Sequence, residues 1–494
     1  MLKEKIVYPY IPNSAPEVKE EMLKDLGLDD PEQLFSEIPD HLKFHGRMDL
    51  PDPILDELTL KKHVESLLNR NRHCDEYLNF LGAGCARHYV PAVCDSINHR
   101  GEFLTAYAAD FYADHGKGQA LFEFCSLMAE MLDMDVVSGL IYDWTQAAAT
   151  SLRMASRITG RPEVLLPKTM CPQTLMVVRN YLKGVSNEGI CIRSVDYDKK
   201  TGLLDLDDLN SKVSSRTAAV FIENPSYLGF IETRAREIGE IAKENGAEFI
   251  VSADPITLGV ISPPALYGAT IACGDYHSLG IHMQCGGGQG GYIATHGDMK
   301  YVAEYKDKMY GLTKTVKDGE YGFGSVLFDR TSFASREKAK EFTGTASALW
   351  AITAAVYLSL MGPQGMKEVG QTIMQKAQYG AKRLAQLDGV QLKFTSPFFK
   401  EFVVNFDQSG KKVREINRSL LRFKIFGGKD LSGDFPEMGE SSLYCVTEMT
   451  TREDINRLLD ALKEILSNNP NPGDRGRSRF GRRQKGPRGK TLKA

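Results

Sequence analysis

Residues 79–335 alternate short apolar segments with amphipathic ones, and this alternation restricts the possible folds more than any other feature of the chain. The apolar runs are EVLLP (163–167), GICIRSVDY (189–197), TAAVFIEN (217–224) and EFIVSAD (248–254). Runs of this length are typical of strands that are buried on both faces, as in parallel sheets. Helical patterns such as residues 233–246 lie between them. We therefore predict a large domain with a mainly parallel sheet covered by helices on both faces.

Two further structured parts flank this domain. Residues 1–78 combine short helical patterns with prolines and predict an N-terminal helical arm, too thin to fold as a domain of its own. Its first helix is predicted to begin with a capping box of Ser14 and Glu17. Residues 336–467 again alternate helices and strands and predict a small C-terminal α/β domain.

The charge of the chain is concentrated at its C-terminus. The whole chain has a net charge of −3, but residues 468–494 hold nine Lys or Arg against one Asp, a net +8, which leaves −11 on the remainder. Gly, Pro, Arg and Lys leave this tail little to bury, so we expect it to be disordered. Such a tail either binds an anionic partner or is simply solvated, and the sequence leaves both open.

The compartment is predicted from the cysteines and the apolar segments. The nine cysteines include no C-x-x-C pair and indicate reduced thiols. The first residues carry charges and prolines where a signal peptide needs an apolar core. The longest apolar run, residues 348–362, is shorter than the roughly 20 residues of a membrane span. We expect a soluble, cytoplasmic protein.

Asp254 ends an apolar strand, and a glycine cluster at Gly286, Gly287 and Gly288 follows it. In enzymes that hold pyridoxal phosphate as a lysine imine, an acid in this position contacts the pyridinium nitrogen. Here no lysine occurs between Lys243 and Lys300, so an internal imine has no amine in this segment. The glycines either line a phosphate with their N–H groups or form only a turn.

Two other ligand sites are weaker hypotheses. Cys273, His277, His282 and Cys285 are residue types that bind zinc, but their spacing is unlike that of a zinc finger. Buried thiols and hydrogen-bonded histidines are the plainer interpretation, and we predict no metal. The segment GAGCARHYVP (82–91) lacks the preceding strand and following acid of a dinucleotide site.

Several long segments resemble the glycine decarboxylase, or P-protein, family of the glycine cleavage system, and within it subunit 1 of two-subunit members. They are YPYIPNSAPEVKEEMLKDLGLDDPEQLFSEIP, FLGAGCARHYVPAV, EFLTAY, QALFEF, SADPITLGVISPPALYGATI and AAVYLSLMGPQG. The resemblance runs from about residue 7 to residue 467. It implies the type I fold of pyridoxal-phosphate-dependent transferases, with a large domain and a small one.

The resemblance also implies a division of labour. Subunit 2 of the family holds pyridoxal phosphate on a lysine, decarboxylates glycine and passes the aminomethyl group to the lipoyl arm of H-protein. Subunit 1 keeps the fold without that lysine. His277 and Ser278 stand where the lysine-bearing subunit has a His-Lys pair, 24 residues beyond Asp254. This chain is thus expected to bind no cofactor covalently, to be inactive alone and to work as a heteromer.

Three departures from the family pattern fall near the expected cofactor pocket. The segment 107–119 differs from the usual one, Trp144 stands at a usual glycine, and Cys171 replaces a histidine able to stack on a cofactor ring. With Asp254, His277, Ser278 and the three glycines, Trp144 and Cys171 complete the predicted vestigial pocket. The departures favour an alternative function, that of a paralogue without pyridoxal phosphate in a binding or regulatory role.

Overall fold

The computed structural model describes residues 7, 8, 10, 11, 14–46, 48–103, 115–184, 189–283, 290–341 and 347–467. The chain divides into two units, residues 1–72 and 73–494. The predicted glycine cluster, Cys285, most of the segment 107–119 and the basic tail lie outside the described residues.

The described residues of the first unit form two α-helices and two short 3₁₀ helices. They are α1 (Pro16–Asp25), the 3₁₀ helices Pro31–Phe35 and Asp40–Leu42, and α2 (Glu57–Leu68). None of these helices contains a buried residue. The predicted capping box at Ser14 is wrong: Ala15 is the N-cap and Pro16 begins the helix. The Ser14 hydroxyl instead accepts a hydrogen bond from the backbone N–H of Tyr8 at 2.7 Å.

The second unit is built on a seven-stranded sheet. Its strands, in chain order, are β2 (Val136–Ile141), β3 (Glu163–Pro167), β4 (Cys191–Val195), β5 (Thr217–Glu223), β6 (Glu248–Ser252), β7 (Ile271–Asp275) and β8 (Gly291–Thr295). The short β1 (Leu78–Asn79) precedes them in the chain and is not part of this sheet. The spatial order of the seven strands is β2-β8-β7-β6-β5-β3-β4. β8 runs antiparallel to both of its neighbours, β2 and β7, and the other neighbouring pairs of this sheet are parallel. The predicted mainly parallel sheet is confirmed.

Helices cover both faces of this sheet. They are α3 (Ala92–Asn98), α4 (His115–Leu132), α5 (Trp144–Thr159), α6 (Pro172–Lys183), α7 (Leu206–Lys212), α8 (Ala235–Glu244) and α9 (Met299–Val302). Alternate residues of β5 enter opposite cores: Val220 and Ile222 pack with α4 and α8, whereas Ala219 and Phe221 pack with α5 and α6. Because both faces are apolar, the strand reads as one continuous hydrophobic run.

The rest of the unit carries a hairpin, a long broken helix and a second sheet. The elements are β9 (Tyr310–Lys314), β10 (Tyr321–Ser325), α10 (Ser332–Ser335), α11 (Ala348–Leu384), β11 (Gln391–Leu392), β12 (Glu401–Asn405), α12 (Val413–Leu420), β13 (Ile425–Phe426), β14 (Lys429–Asp430), β15 (Ser441–Cys445) and α13 (Arg452–Ser467). The α11 helix is interrupted at Gly362, where φ is +59°, and Pro363 follows. The apolar segment 348–362 is thus a helix before a break.

The second sheet has the antiparallel order β11-β12-β15-β14. One face of β12, with Phe402 and Val404, packs on the second half of α11 and on α12 and α13. The other face, with Val403, packs against Tyr227 and Phe230, which follow β5 of the large sheet. The N-terminal end of β12 is therefore held over the edge of the large sheet where its parallel strands end.

This approach of the two sheets depends on Gly229, which has φ of +93°. A Cβ atom at Gly229 would lie 2.0 Å from the backbone oxygen of Glu401. Only glycine combines this backbone conformation with so close a contact.

Among the described residues, no helix has the length and hydrophobicity needed to cross a membrane.

Candidate functional site: a strand-end pocket

Three acidic residues lie at the ends of three adjacent parallel strands. Glu223 ends β5, Asp254 follows β6 by two residues, and Asp275 ends β7, and these strands are neighbours in the sheet. The carboxyl edge of a parallel sheet is where ligands bind in folds of this class. All three acids line one pocket there, together with Ser278, Lys400 and Glu401.

Both carboxylate oxygens of Asp254 are engaged by side chains of the same chain. Oδ1 accepts a hydrogen bond from the hydroxyl of Ser278 at 2.6 Å, and Oδ2 lies 2.5 Å from Nζ of Lys400. The backbone N–H of Ile256 also donates to Oδ1, at 3.3 Å. The structure thus brings the predicted pair Asp254 and Ser278 into direct contact and adds a lysine that the sequence did not indicate.

Lys400 is itself part of a longer polar chain. Its Nζ lies 3.2 Å from Nε2 of His88, and Nδ1 of His88 lies 2.9 Å from a carboxylate oxygen of Glu448. The other carboxylate oxygen of Glu448 accepts from the backbone N–H of Tyr89 at 2.6 Å. Ser278, Asp254, Lys400, His88 and Glu448 form one continuous series, which we call the polar relay.

The contacts within the polar relay determine the protonation states of its central pair, Asp254 and Lys400. Burial opposes ionisation of Asp254, but the nearby positive charge of Lys400 outweighs it and lowers the pKa of Asp254 to about 2. Burial likewise favours a neutral Lys400, and the attraction of Asp254 outweighs it and raises the pKa of that amine above its ordinary value. The pair is therefore a carboxylate and an ammonium at neutral pH, and the Lys400 amine is not a nucleophile.

Among the described contacts, no ion pair is formed by the other acids of the pocket. The described hydrogen bonds to Glu223 come from the backbone N–H groups of Cys171, at 3.3 Å, and Tyr227, at 3.1 Å. Burial raises the pKa of Glu223 to about 7. Burial and the neighbouring Asp254 raise the pKa of Asp275 to about 7, and burial raises that of Glu401. The pocket therefore holds one paired carboxylate, Asp254, and two acids with pKa values of about 7, Glu223 and Asp275.

Trp144 fills the side of the pocket that faces Gly84. It is the first residue of α5, which is capped by the Asp143 carboxylate. A Cβ at Gly84 would lie 2.8 Å from Cζ2 of Trp144, so the ring rests directly on the glycine backbone. The remaining cavity has a volume of 90 Å³, small beside the roughly 300–1,000 Å³ of typical ligand pockets. The Trp144 ring thus narrows the pocket on the side of Gly84.

His277 and Cys171 are both buried. The backbone N–H of His277 donates to Asp275 at 2.7 Å, and its Nε2 has no hydrogen-bond partner among the described residues. Burial, with the nearby positive charge of Lys400, lowers the pKa of His277 to about 3, so the imidazole is neutral. Cys171 precedes α6 and does not line the pocket; burial raises the pKa of its thiol to about 12. Neither residue is poised for acid-base or nucleophilic work.

The structure separates the members of the zinc hypothesis. Cys273 is buried within β7, whereas Nε2 of His282 lies 3.0 Å from the Asp95 carboxylate at the surface. Among the described residues, which exclude Cys285, no group of three or more His, Cys, Asp or Glu is placed to hold a metal ion.

Comparison with known proteins identifies the family. A sequence profile described as the glycine cleavage system P-protein matches residues 8–462. The "Probable glycine dehydrogenase (decarboxylating) subunit 1" of Staphylothermus marinus is 39% identical over 469 residues, 93% of this chain and 98% of the relative. This chain belongs to the glycine cleavage system P-protein family.

Other P-protein relatives agree. The corresponding subunit 1 of Saccharolobus solfataricus is 36% identical over 463 residues, 93% of this chain and 98% of the relative. A crystal structure of an inhibitor-bound glycine decarboxylase (P-protein) superposes with a TM-score of 0.80 at 31% identity, covering 93% of this chain and 100% of the other. Sphingosine-1-phosphate lyase of Burkholderia pseudomallei, at a TM-score of 0.61 and 15% identity over 86% of this chain and 94% of the other, shows the fold alone. The predicted type I fold is confirmed.

Pyridoxal phosphate is the cofactor of glycine dehydrogenase, and the described residues of this P-protein chain do not fit it. Ser278 offers a hydroxyl where an imine requires an amine. Asp254, the acid that would contact the ring nitrogen, already accepts hydrogen bonds from Ser278 and Lys400. Trp144 and Lys400 occupy space at the same pocket.

Lys400, His88, Glu448, Glu223, Asp275 and Glu401 were not predicted as site residues. Glu223 and Asp275 had a usable signal, because each ends an apolar strand run as Asp254 does. Lys400 had none, since it lies 146 residues from Asp254 in sequence and directly precedes β12 of the other sheet.

Proposed function

We propose that this chain is the subunit of a heteromeric glycine decarboxylase that does not hold the cofactor. It pairs with a P-protein subunit that carries pyridoxal phosphate, decarboxylates glycine and transfers the aminomethyl group to the lipoyl arm of H-protein. This chain completes the complex and shapes the approach to the partner's site. The family and the subunit 1 names of its relatives support the assignment.

The observation that carries this proposal is the contact between Ser278 and Asp254. The position that would need an amine holds a hydroxyl, which donates to Asp254 at 2.6 Å. A serine cannot condense with an aldehyde, so the chemistry of the complex requires a lysine from another chain. We propose that Asp254, His277, Ser278 and Trp144 form a vestigial cofactor pocket. Cys171, which the sequence also assigned to it, does not line this pocket, and Gly286, Gly287 and Gly288 lie outside the described residues.

The exposed apolar side chains of the first unit support the proposal that this chain has a partner subunit. Leu60, Val64 and Leu67 of α2 lie on one helical face and are 46%, 42% and 48% exposed. Spacings of four and three residues place them in one stripe. Exposed apolar stripes of this kind mark interaction surfaces. We propose that the partner P-protein subunit covers this one.

Two finer proposals concern the surroundings of the complex. Free thiols occur at Cys74, Cys94, Cys125, Cys171, Cys191, Cys273 and Cys445, which supports a reducing, cytoplasmic location. The net charge of +8 on residues 468–494 supports an anionic partner for the tail.

The test is reconstitution. The tagged full-length chain is co-expressed with the lysine-bearing subunit of its host, and the purified mixture is assayed with H-protein for glycine-dependent exchange of labelled bicarbonate. We expect exchange only when both chains are present. If the tagged chain captures no lysine-bearing subunit, or if that subunit exchanges bicarbonate equally well alone, the heteromer assignment is wrong. The alternative of a regulatory paralogue then gains support.

A matched pair of variants locates the interface. Leu67→Asp places a charge in the apolar stripe of α2, and Ser66→Asp places the same charge on an adjacent, polar side of the helix. We expect Leu67→Asp to abolish co-purification of the partner and Ser66→Asp to preserve it. Equal capture by both variants would show that the stripe is not the interface.

A further inference from the structure

The ammonium of Lys400 lies on the acid that would face a cofactor ring nitrogen. Enzymes that bind pyridoxal phosphate pair such an acid with the positively charged ring nitrogen. In this chain, the partner of Asp254 is instead Nζ of Lys400, at 2.5 Å. The contact joins the carboxyl edge of the large sheet to the residue that precedes β12 in the other sheet.

The choice of Asp254 as the partner is selective. Four acidic side chains line the pocket, namely Glu223, Asp254, Asp275 and Glu401, and Lys400 is the single lysine or arginine among the lining residues. Among the described contacts, the ammonium makes its ion pair with Asp254, while the carboxylates of Glu223, Asp275 and Glu401 accept backbone N–H groups.

The backbone around Lys400 leaves the ammonium little freedom to move away. The backbone oxygen of Lys400 accepts from the N–H of Val446 at 2.9 Å. Neighbouring Glu401 packs on two glycines: a Cβ at Gly82 would lie 2.1 Å from Oε1 of Glu401, and one at Gly229 would lie 2.0 Å from its backbone oxygen. With His88 on its other side, the amine is held in place from both the sheet and the relay.

We infer that Lys400 is a built-in cation that takes the place of a cofactor's ring nitrogen at Asp254, so that the chain itself closes its pocket to pyridoxal phosphate. The inference rests on the proposed function and adds to it. Loss of the attachment lysine alone would leave a pocket open to non-covalent binding of the ring. A protein-borne cation makes the subunit complete without cofactor, so its folding and assembly are independent of cofactor supply.

Pyridine tests the inference, because it is the ring nitrogen without the rest of the cofactor, and benzene is its control of matched shape. Lys400→Ala removes the cation and leaves space beside Asp254. At pH 6, we expect this variant to bind pyridine at least tenfold more tightly than benzene, measured by the shift of its thermal midpoint and by ligand-detected NMR. The wild-type chain is expected to show saturable binding of neither.

The double variant Asp254→Asn with Lys400→Ala decides whether charge or cavity is responsible. We expect it to bind pyridine and benzene equally, since the cavity remains and the carboxylate does not. Preferential binding of pyridine by the double variant, or by the wild-type chain, would overturn the inference. Should Lys400→Ala fail to fold, its refolding yield with pyridine against benzene is the readout, and equal yields count against the inference.

Reductive methylation gives a second measurement that leaves Lys400 in the chain. A neutral amine adds to formaldehyde and loses water, and cyanoborohydride supplies the hydride, so methylation reports a deprotonated amine. We expect Lys400 to be methylated at least tenfold faster in Asp254→Asn than in the wild-type chain, with the exposed Lys61 as internal standard. Equal rates would show that Asp254 does not hold the amine. These outcomes are independent of bicarbonate exchange, so failure of the inference and failure of the heteromer assignment are distinguishable.

Discussion

Glu223 and Asp254 lie at the ends of neighbouring strands, at one edge of one sheet, yet their carboxyl groups differ sharply in acidity. Burial raises the pKa of Glu223 to about 7, whereas Lys400 overcomes burial and lowers the pKa of Asp254 to about 2. Both side chains line the same pocket. Position at a strand end therefore does not by itself determine the charge of an acid. The charge of Asp254 is determined by Lys400, which directly precedes β12 of the other sheet.

Removing that cation should have the largest effect on stability. Lys400→Met leaves the partly buried Asp254 carboxylate without a counter-ion, which is expected to lower the free energy of unfolding by ~3 kcal/mol. The control is Lys429→Met, which removes a lysine paired with Asp434 at 2.8 Å in a more exposed setting; exposed pairs contribute less than about 1 kcal/mol. Urea denaturation of the three chains measures both values. Equal losses for the two variants would mean that Lys400 is an ordinary surface lysine.

The pH dependence of stability should separate the two acids. The pKa of Glu223 is raised from 4.5 to about 7 in the folded chain, so its contribution is fully present below pH 4.5 and is lost as pH rises through 7. Glu223→Gln removes this loss, and we expect its stability relative to wild type to improve by ~2 kcal/mol between pH 5 and pH 8.

Asp254→Asn tests the opposite case, because folding lowers the pKa of Asp254 and raises that of Glu223. The pKa of Asp254 is lowered from 3.8 to about 2, so its contribution is present above pH 3.8 and is lost as pH falls towards 2. Between pH 4 and pH 2, acidification should therefore destabilise the wild-type chain more than Asp254→Asn. Equal acid sensitivity of these two chains, or no change for Glu223→Gln relative to wild type between pH 5 and pH 8, would contradict the assigned charges.

The smallest effect is expected for Ser278→Ala. This change removes one neutral donor to Asp254 and leaves Lys400 in place, so we expect a loss of ~1 kcal/mol in the free energy of unfolding. Denaturation at pH 7 measures it beside Lys400→Met. If Ser278→Ala costs as much as Lys400→Met, the hydroxyl rather than the ammonium is the main partner of Asp254.

The local sequence was sufficient to predict most strands of the large sheet and part of the site. The runs at 163–167, 217–224 and 248–254 predicted strands, because a strand buried on both faces must be continuously apolar. Asp254 was predicted because it ends such a run. The boundaries at 78, 335 and 467 remain predictions.

The relay could not be predicted, because its members are distant in the chain. His88 and Lys400 are separated by 312 residues, and His88 and Glu448 by 360 residues. Nothing in the segment FFKEF around Lys400 distinguishes this lysine from an exposed one. Its role follows from the packing of Tyr227 and Phe230 against β12, which is a property of the tertiary structure.

The central claim is that this chain completes a glycine decarboxylase without holding its cofactor. The most direct measurement is borohydride reduction of the reconstituted complex with pyridoxal phosphate, followed by mass spectrometry of each separated chain. The account predicts one pyridoxyl-lysine for each pair of chains, located on the partner subunit, and no stoichiometric label on this chain. A stoichiometric pyridoxyl-lysine at Lys400, or at any other lysine of residues 79–467, would contradict it.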